Sequence, residues 1–212
     1  MNTHQLSIDL SLPTPPTPKY RWGADGVGRG NCAGLNIWAV VGVPCGVDLP
    51  GVCDSKLTKS HHRKKLIEAI RKKCVISLGV ATPVEIDILG INQAEAIALN
   101  RAIQFAYCQG HFPENVIGDL AMPSVSVSSR REKSADAIHV ECSAASIAAK
   151  YALDSYWGGV HKYYPQYKFT KSAGYATTHH KSAMQTYGLI DRIHRKTYKP
   201  CQAIDRNPII PF

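Results

Sequence analysis

Three acids separated by long stretches of chain, Asp25, Asp119 and Asp136, are the residues whose placement could do chemistry. Asp25 closes the extended stretch that begins at Tyr20-Arg21-Trp22. Asp119 follows the β-branched run Val116-Ile117, and Asp136 precedes a further short extended stretch. Carboxylates delivered from separate strand ends, where they converge, make an oxygen-rich site suited to Mg²⁺ or Mn²⁺. Two such ions can activate a water and stabilise the leaving oxygen of a phosphodiester. Scattered aspartates occur in any chain of this length, so the residues alone leave three unrelated surface acids open. Next to Asp25 lies Gly28-Arg29-Gly30. The glycines let backbone approach a partner closely, and the planar fork of Arg29 suits a phosphate. A β-turn with a solvated arginine is the plainer alternative.

The elements that must position these groups alternate between strand and helix. Tyr20 to Asp25, a tight Gly loop, and a return strand in Leu35–Val43 open the chain. A helix follows from about Lys59 to Lys73, with Leu66, Ile67 and Ile70 as its apolar stripe and His62, Arg63, Lys64, Lys65, Arg71 and Lys72 on the other face. Val75–Val80 reads as a strand. Ala94, Ile97, Ala98, Arg101, Ala102 and Phe105 give helical spacing over Gln93–Cys108. Val116–Leu120 is a strand, Val125–Val127 a further edge strand, and Arg130–Lys133 a polar loop. An Ala-rich helix is expected over Ser143–Tyr156 and another near Thr178–Tyr187. The alternation predicts an α/β architecture. Residues 1–19, with Pro13, Pro15, Pro16 and Pro18, read as an extended tail. Residues 20–200 form the domain, with a helical part from about 158, and 201–212 are a C-terminal tail.

Composition narrows the partners. Lys plus Arg number 25 against 16 Asp plus Glu, a net charge of +9. That excess favours a polyanion, nucleic acid before anionic membrane. No apolar run approaches the about 20 residues that span a bilayer. Met1–Gln5 lacks the basic start and apolar middle of a signal peptide, which predicts a cytoplasmic protein. The seven cysteines are scattered without zinc-ligand spacing and read as reduced thiols. The adjacent pairs His61-His62 and His179-His180 point different ways on a helix, so solvated or phosphate-facing roles are expected.

Taken in order, the motifs resemble those of the ribonuclease HII (type 2 ribonuclease H) family. Asp25-Gly26-Val27-Gly28-Arg29-Gly30 matches the family's D-E-x-G-R-G. Asp54-Ser55-Lys56 matches a D-S-K at the start of a basic helix, and Glu85-Ile86-Asp87 an E-I-D before a long helix. Gly118-Asp119 matches a strand ending in V-D. Ala135-Asp136 with Ser143-Ala144-Ala145-Ser146-Ile147-Ala148-Ala149-Lys150 matches A-D…S-A-A-S-I-x-A-K. Gly174-Tyr175-Ala176-Thr177 with His180, and His194-Arg195 with Tyr198, match the late motifs. The resemblance spans about residue 22 to 200. It implies a ribonuclease H-like fold, a central mixed sheet flanked by helices with a small C-terminal helical part. It implies a metal-dependent endonuclease, acting as a monomer, that cleaves RNA in RNA–DNA hybrids or 5′ of a ribonucleotide embedded in duplex DNA. Such a cut leaves a 5′-phosphate, an activity suited to DNA replication and repair. By the same resemblance Asp25, Asp119 and Asp136 bind Mg²⁺ or Mn²⁺. Gly28, Arg29 and Gly30 read the ribose 2′-hydroxyl, which distinguishes RNA from DNA. Tyr175 packs on the sugar at the junction, Lys56 contacts phosphate, and Asp154 takes a structural role on its helix.

One position departs from the pattern. Gly26 stands where the family has Glu, the fourth carboxylate of its metal site. Three consequences compete: a weakened or Mn²⁺-preferring nuclease, substitution by another acid such as Glu141, or a catalytically silent protein that still binds hybrids. Ala176 in place of Gly adds only a methyl. In the tail, Gln5-Leu6-Ser7-Ile8-Asp9-Leu10 resembles peptides that dock extended on the bacterial sliding clamp, the alternative being a passive tail.

Overall fold

The computed structural model describes residues 20–52 and 60–204. The Gln5–Leu10 segment and the Asp54-Ser55-Lys56 motif lie outside the described residues. Five strands form one mixed sheet: β1 (Tyr20–Val27), β2 (Asn36–Pro44), β3 (Val75–Ala81), β4 (Val116–Gly118) and β5 (Ser129–Arg131), in spatial order β3-β2-β1-β4-β5. β1 pairs antiparallel with β2, and β2 with β3. β1 pairs parallel with β4, and β4 with β5. The sheet thus changes hand at β1, the strand that carries Asp25.

Both sheet faces are covered. Trp22 and Ala24 of β1 and Trp38 and Val40 of β2 pack against Ala94, Ala98, Leu99, Ala102 and Ile103 of α3 (Ile91–Cys108). The alternate residues Ala39, Val41 and Val43 pack on Ile67 and Ile70 of α1 (Ser60–Lys73) and on Ala144, Ala145, Ile147 and Ala148 of α5 (Val140–Tyr163). Burial on both faces explains why β2 reads as an unbroken apolar run. The small residues of α5 let it lie directly on β1: a Cβ at Gly23 would overlap the backbone of Glu141 and Cys142. A third cluster joins Cys32, Ala33 and Trp157 to the C-terminal segments, including a 3₁₀ turn (Pro165–Tyr167), Phe169 of α6 (Phe169–Ser172), Met184 of α7 (Thr178–Tyr187) and Cys201 of α8 (Lys199–Gln202).

Several boundaries differ from the expected ones. β1 runs two residues beyond Asp25, because the backbone pairing with β2 continues through Gly26 and Val27. The edge strand is Ser129–Arg131 rather than Val125–Val127, whose valines instead turn to the α3 core. Arg130 and Arg131 are tolerated there because β5 is exposed at the sheet's edge. Asp136 lies in α4 (Ala135–Ile138), a single helical turn, and not before an extended stretch. A short helix α2 (Pro83–Leu89) precedes α3, started by a reciprocal cap between Thr82 and Glu85 with Pro83 in the first turn. α5 continues through Gly158 and Gly159, anchored by buried Trp157. Cys201 and Gln202, expected in a C-terminal tail, close α8.

Candidate active site

The pairing of Gly23 with Ile117 in parallel strands brings the next-but-one residues, Asp25 and Asp119, side by side at the same edge of the sheet. Half-buried Asp25 accepts a hydrogen bond from the Gly26 N–H at 2.9 Å. Burial raises its pKa. The Ser146 hydroxyl, the Gly26 N–H and Lys150 oppose that shift, while the charge of Asp136 adds to it. Asp136 is therefore within electrostatic reach of Asp25. The Ser146 hydroxyl lies beside the carboxyl, fully buried, but short of a formed hydrogen bond to any group. Exposed Asp119 accepts with Oδ1 from the Leu120 N–H at 2.8 Å and the Ser134 N–H at 3.1 Å. The second bond ties the end of β4 to the turn before Asp136. The Asp136 carbonyl in turn accepts from the Ser143 hydroxyl, fastening α4 to α5.

The three acids share one edge without closing into a cage: among the described residues, no three His, Cys, Asp or Glu side chains form a metal-holding group. The donor set still suits a hard divalent cation. It offers carboxylate oxygens and a buried hydroxyl with no partner of its own.

The absence of a side chain at position 26 has a neighbour across the sheet. Gly26 pairs with Trp38, and a Cβ on Gly26 would lie well inside contact distance of the indole, 2.7 Å from Nε1. Trp38 is buried and its indole N–H has no partner. The ring fills the volume that a Glu stem would need. Glu141, the acid expected as a substitute, is engaged by other groups. Its buried carboxylate turns to Arg21 Nε at 3.9 Å and His139 Nδ1 at 3.7 Å, near the start of β1. That is also where a cavity of about 950 Å³ opens, lined by Tyr20, Trp22, His111 and Glu141.

The glycine loop is held more tightly. Gly28 has φ +93°, and a Cβ there would sit 2.5 Å from the Leu35 carbonyl oxygen. Arg29 is half-exposed but not free. Its Nη1 pairs with Glu95 of α3, and its Nη2 donates to Asn92 Oδ1 at 2.7 Å. Burial raises the Glu95 pKa and Arg29 opposes the shift. The Arg29 carbonyl accepts from Arg195 Nη1 at 3.2 Å and from the Tyr198 hydroxyl at 2.9 Å. Arg195 Nε donates to Gly34 O at 3.0 Å, so one buried guanidinium spans both ends of the loop.

Tyr175 lies against this loop, its Cε1 3.5 Å from where a Cβ on Gly30 would be, with the ring 53% exposed. The Cys32 and Ala33 N–H groups both donate to Gly174 O, at 2.9 and 3.2 Å. A histidine relay supports it from below. The Ile190 N–H donates to His194 Nδ1 at 2.8 Å, leaving Nε2–H of His194 to donate to His180 Nε2 at 3.1 Å. His180 Nδ1–H then donates to Tyr175 O at 2.8 Å. Burial and the neighbouring His180 hold the His194 pKa down to about 3. His180 is wholly buried, which corrects the solvated or phosphate-facing role expected for it; His179 is exposed, with Nε2 3.2 Å from Gln166 O.

Of the sequence-derived site residues, Asp25, Asp119 and Asp136 gather at one edge, and Gly28, Arg29, Gly30 and Tyr175 form a second group beside β1. Lys56 lies outside the described residues. Asp154 receives Arg63 Nε at 3.1 Å and Nη2 at 2.7 Å, linking α5 to α1. Glu95, Ser146, Trp38 and the buried role of Arg195 were not anticipated. Arg195 and Ser146 carried a signal, their places in the His194-Arg195 and Ser143–Lys150 motifs.

Comparison with known proteins shows the family and the fold. The family model described as Ribonuclease HII matches residues 22–201. Ribonuclease HII of Desulfitobacterium hafniense is 36% identical over 181 residues, covering 85% of this chain and 68% of that protein. Ribonuclease HII of Alteromonas mediterranea is 34% identical over 183 residues, covering 86% and 95%. Among solved structures, ribonuclease H2 from Pyrococcus horikoshii superposes with TM-score 0.70 at 23% identity, covering 87% of this chain and 96% of that one. Bst-RNase HIII in complex with Mn²⁺ superposes with TM-score 0.65 at 17% identity, covering 86% and 68%. The RNase HII of a PCNA:RNase HII complex from Archaeoglobus fulgidus gives TM-score 0.62 at 21% identity, covering 83% and 92%. The fold is that of the ribonuclease H-like proteins, and the chain belongs to the ribonuclease HII family.

Proposed function

We propose that this chain is a metal-dependent endoribonuclease that cuts RNA in hybrids, or 5′ of a ribonucleotide within duplex DNA, with chemistry weakened by Gly26. The observation that carries the reading is the adjacency of the two groups along β1. Acids on β1, just past β4 and on α4 lie at the end of β1 that leads into a loop and an exposed tyrosine suited to receive a sugar edge. Asp25, Asp119 and Asp136 would hold Mg²⁺ or Mn²⁺, which supplies the activated water and neutralises charge on the phosphate. The backbone of Gly28–Gly30 presents N–H and C=O groups at a distance a side chain would prevent, which suits a 2′-hydroxyl. Tyr175 offers a flat apolar face to the adjoining sugar. Arg29 stays fixed by Glu95 and Asn92, so it orders the loop as well as contributing positive charge. Lys56 is proposed as a phosphate contact. The exposed basic side chains of α1, Lys64, Lys65 and Lys72, would follow the backbone at longer range.

The occupied volume at Gly26 also favours a second reading, a hybrid-binding protein that does not cut. One experiment separates the two: cleavage of a duplex with one embedded ribonucleotide in Mg²⁺ and in Mn²⁺, using the chain as it is and Gly26→Glu combined with Trp38→Ala. Cleavage by the unaltered chain establishes the nuclease. Cleavage only by the double variant establishes a disarmed binder. Neither cutting nor binding by either protein removes the substrate assignment. We further propose that the protein works as a monomer in the cytoplasm, in DNA replication and repair, and that Gln5–Leu10 docks on a sliding clamp. The ribonuclease–PCNA complex of a structural relative supports the kind of partner. Calorimetric titration of a peptide covering residues 1–14 into a clamp tests it, and no heat at high concentration removes it.

A further inference from the structure

Two buried cysteines from distant parts of the chain meet behind the glycine loop. Cys32 follows Gly28–Gly30 and Cys201 lies on α8, and each is 1% exposed. The two thiols lie close enough to shift each other's pKa in opposite directions. The Cys201 sulfur is 3.3 Å from the Cys32 carbonyl oxygen. The Cys32 sulfur is 3.4 Å from Gly174 O and 3.7 Å from His180 Nδ1, the nitrogen that carries the proton in the relay.

Positive charge is built in beside them. Arg195 is fully buried, makes no carboxylate ion pair among the described residues, and has an Nη2 without a partner. Burial lowers its pKa, and Tyr198, Cys32 and Asp87 counter that shift. The Cys201 thiol and the His180 imidazole draw the Cys32 thiol below its usual range against the effect of burial, while Cys201 is raised by Cys32 and by burial. Elsewhere burial dominates: joined by the charge of Glu141 it pushes Cys142 up to about 12, and against the charge of Lys73 it pushes Cys74 up to about 11. A thiol beside a hydrogen-bonding partner and a cation ionises readily, and it reacts once local opening exposes it.

We propose that Cys32 and Cys201 form a redox pair, in which hydrogen peroxide oxidises Cys32 and Cys201 closes a disulfide that joins the glycine loop to α8. The Cys32 thiolate attacks a peroxide oxygen, the O–O bond breaks, and the leaving oxygen departs as water once protonated. The Cys32 sulfenic acid is then attacked by the Cys201 sulfur, and its hydroxyl leaves as a second water with the Cys201 proton. Two thiols are oxidised and one peroxide is reduced to two waters. α8 is a single turn, so local opening there can admit a small oxidant without global unfolding. Closure draws the Cys32 sulfur from Gly174 O and His180, the two supports of the segment that carries Tyr175.

The test is disulfide mapping of the full chain after hydrogen peroxide, by mass spectrometry of a non-reduced digest. The expected result is a Cys32–Cys201 linked peptide pair, two hydrogens lighter and restored by dithiothreitol, with Cys142 and Cys74 still free. In Cys201→Ser, Cys32 should persist as a sulfenic acid captured by a dimedone-type reagent. Far-ultraviolet circular dichroism confirms that each sample remains folded. The proposal is overturned if exposed Cys45 and Cys108 oxidise while Cys32 and Cys201 remain thiols, or if Cys32 pairs with another cysteine in the folded chain. Neither outcome depends on the nucleic-acid substrate.

Discussion

The glycine loop and the carboxylate edge begin within a few residues of each other on β1, yet they are secured in opposite ways. The loop is tied at both ends by Arg195, braced by Glu95 and Asn92 through Arg29, and backed by a relay of two histidines under Tyr175. The acids stand on the end of β1, just past β4, and on the single turn α4. Few bonds join those elements, and the buried Ser146 hydroxyl among them is unpaired. On the function proposed above, the reader of a sugar edge is thus shaped before any ligand arrives, whereas the ligands of a cation would be drawn together by the cation itself. Association between folding and function is tighter on the loop side, and substitutions there should alter stability as well as binding.

Breaking the acid side should give the largest effect. Asp25→Asn is expected to lower cleavage at least about 1,000-fold, the equivalent of several kcal/mol of transition-state stabilisation. Binding of an uncut duplex, measured by fluorescence anisotropy in Ca²⁺, should change little. Equal losses in rate and affinity would show that the two groups are not separable. Gly26→Glu alone should fail to sharpen the acid side. Its stem meets Trp38, and overpacking of this kind costs roughly 1–3 kcal/mol. Thermal melting should report that loss, and Gly26→Glu with Trp38→Ala should recover part of it. An unchanged melting temperature for the single variant would mean that the indole moves freely.

The histidine relay gives the loop a pH signature. His194 binds a proton readily when unfolded but resists it when folded, its pKa being held down to about 3. Stability is therefore complete above the ordinary histidine range and falls as pH drops from about 6.5 toward 3. The slope should reach roughly 1.4 kcal/mol per pH unit. Denaturant melts at pH 7 and pH 5 should show this fall, and His194→Gln should flatten it. The smallest change is expected from Tyr175→Ala. Loss of one aromatic face should reduce preference for a ribonucleotide over an all-DNA duplex about tenfold, close to 1.4 kcal/mol, with the melting temperature preserved because the ring is half-exposed. An unaltered preference would assign sugar reading to the loop backbone alone.

What the sequence made legible was local or periodic. The apolar stripe of α1, the buried run of β2, and the helix Thr178–Tyr187 all follow from patterns that a few neighbouring residues establish. The fold class followed from their alternation and from the ordered motifs. The end of β1 was misplaced because Gly-rich sequence carries no apolar period, so only the pairing with β2 decides where the strand stops. Val125 and Val127 read as strand by residue type but belong to the α3 core, while the charged β5 is a strand only by its pairing with β4. The pairing of Arg29 with Glu95 crosses 66 positions, and no local pattern announces it. Trp38 gave no sign that it occupies the space beside Gly26, because cross-strand register decides that neighbour. The capping pair Thr82 and Glu85 was readable in principle, and it accounts for α2.

Arg195 bonds to Gly34 and to Arg29 across 161 and 166 positions of sequence. During synthesis the glycine loop emerges long before the guanidinium that shapes it. The central sheet can collapse first, but the loop has to wait for the C-terminal segments to dock, a closure of high sequence separation and correspondingly slow. A nascent chain released before residue 195 would carry all three acids and both loop glycines, yet lack the guanidinium that shapes the loop, so on the proposed function the capacity to tell ribose from deoxyribose is among the last properties this protein acquires.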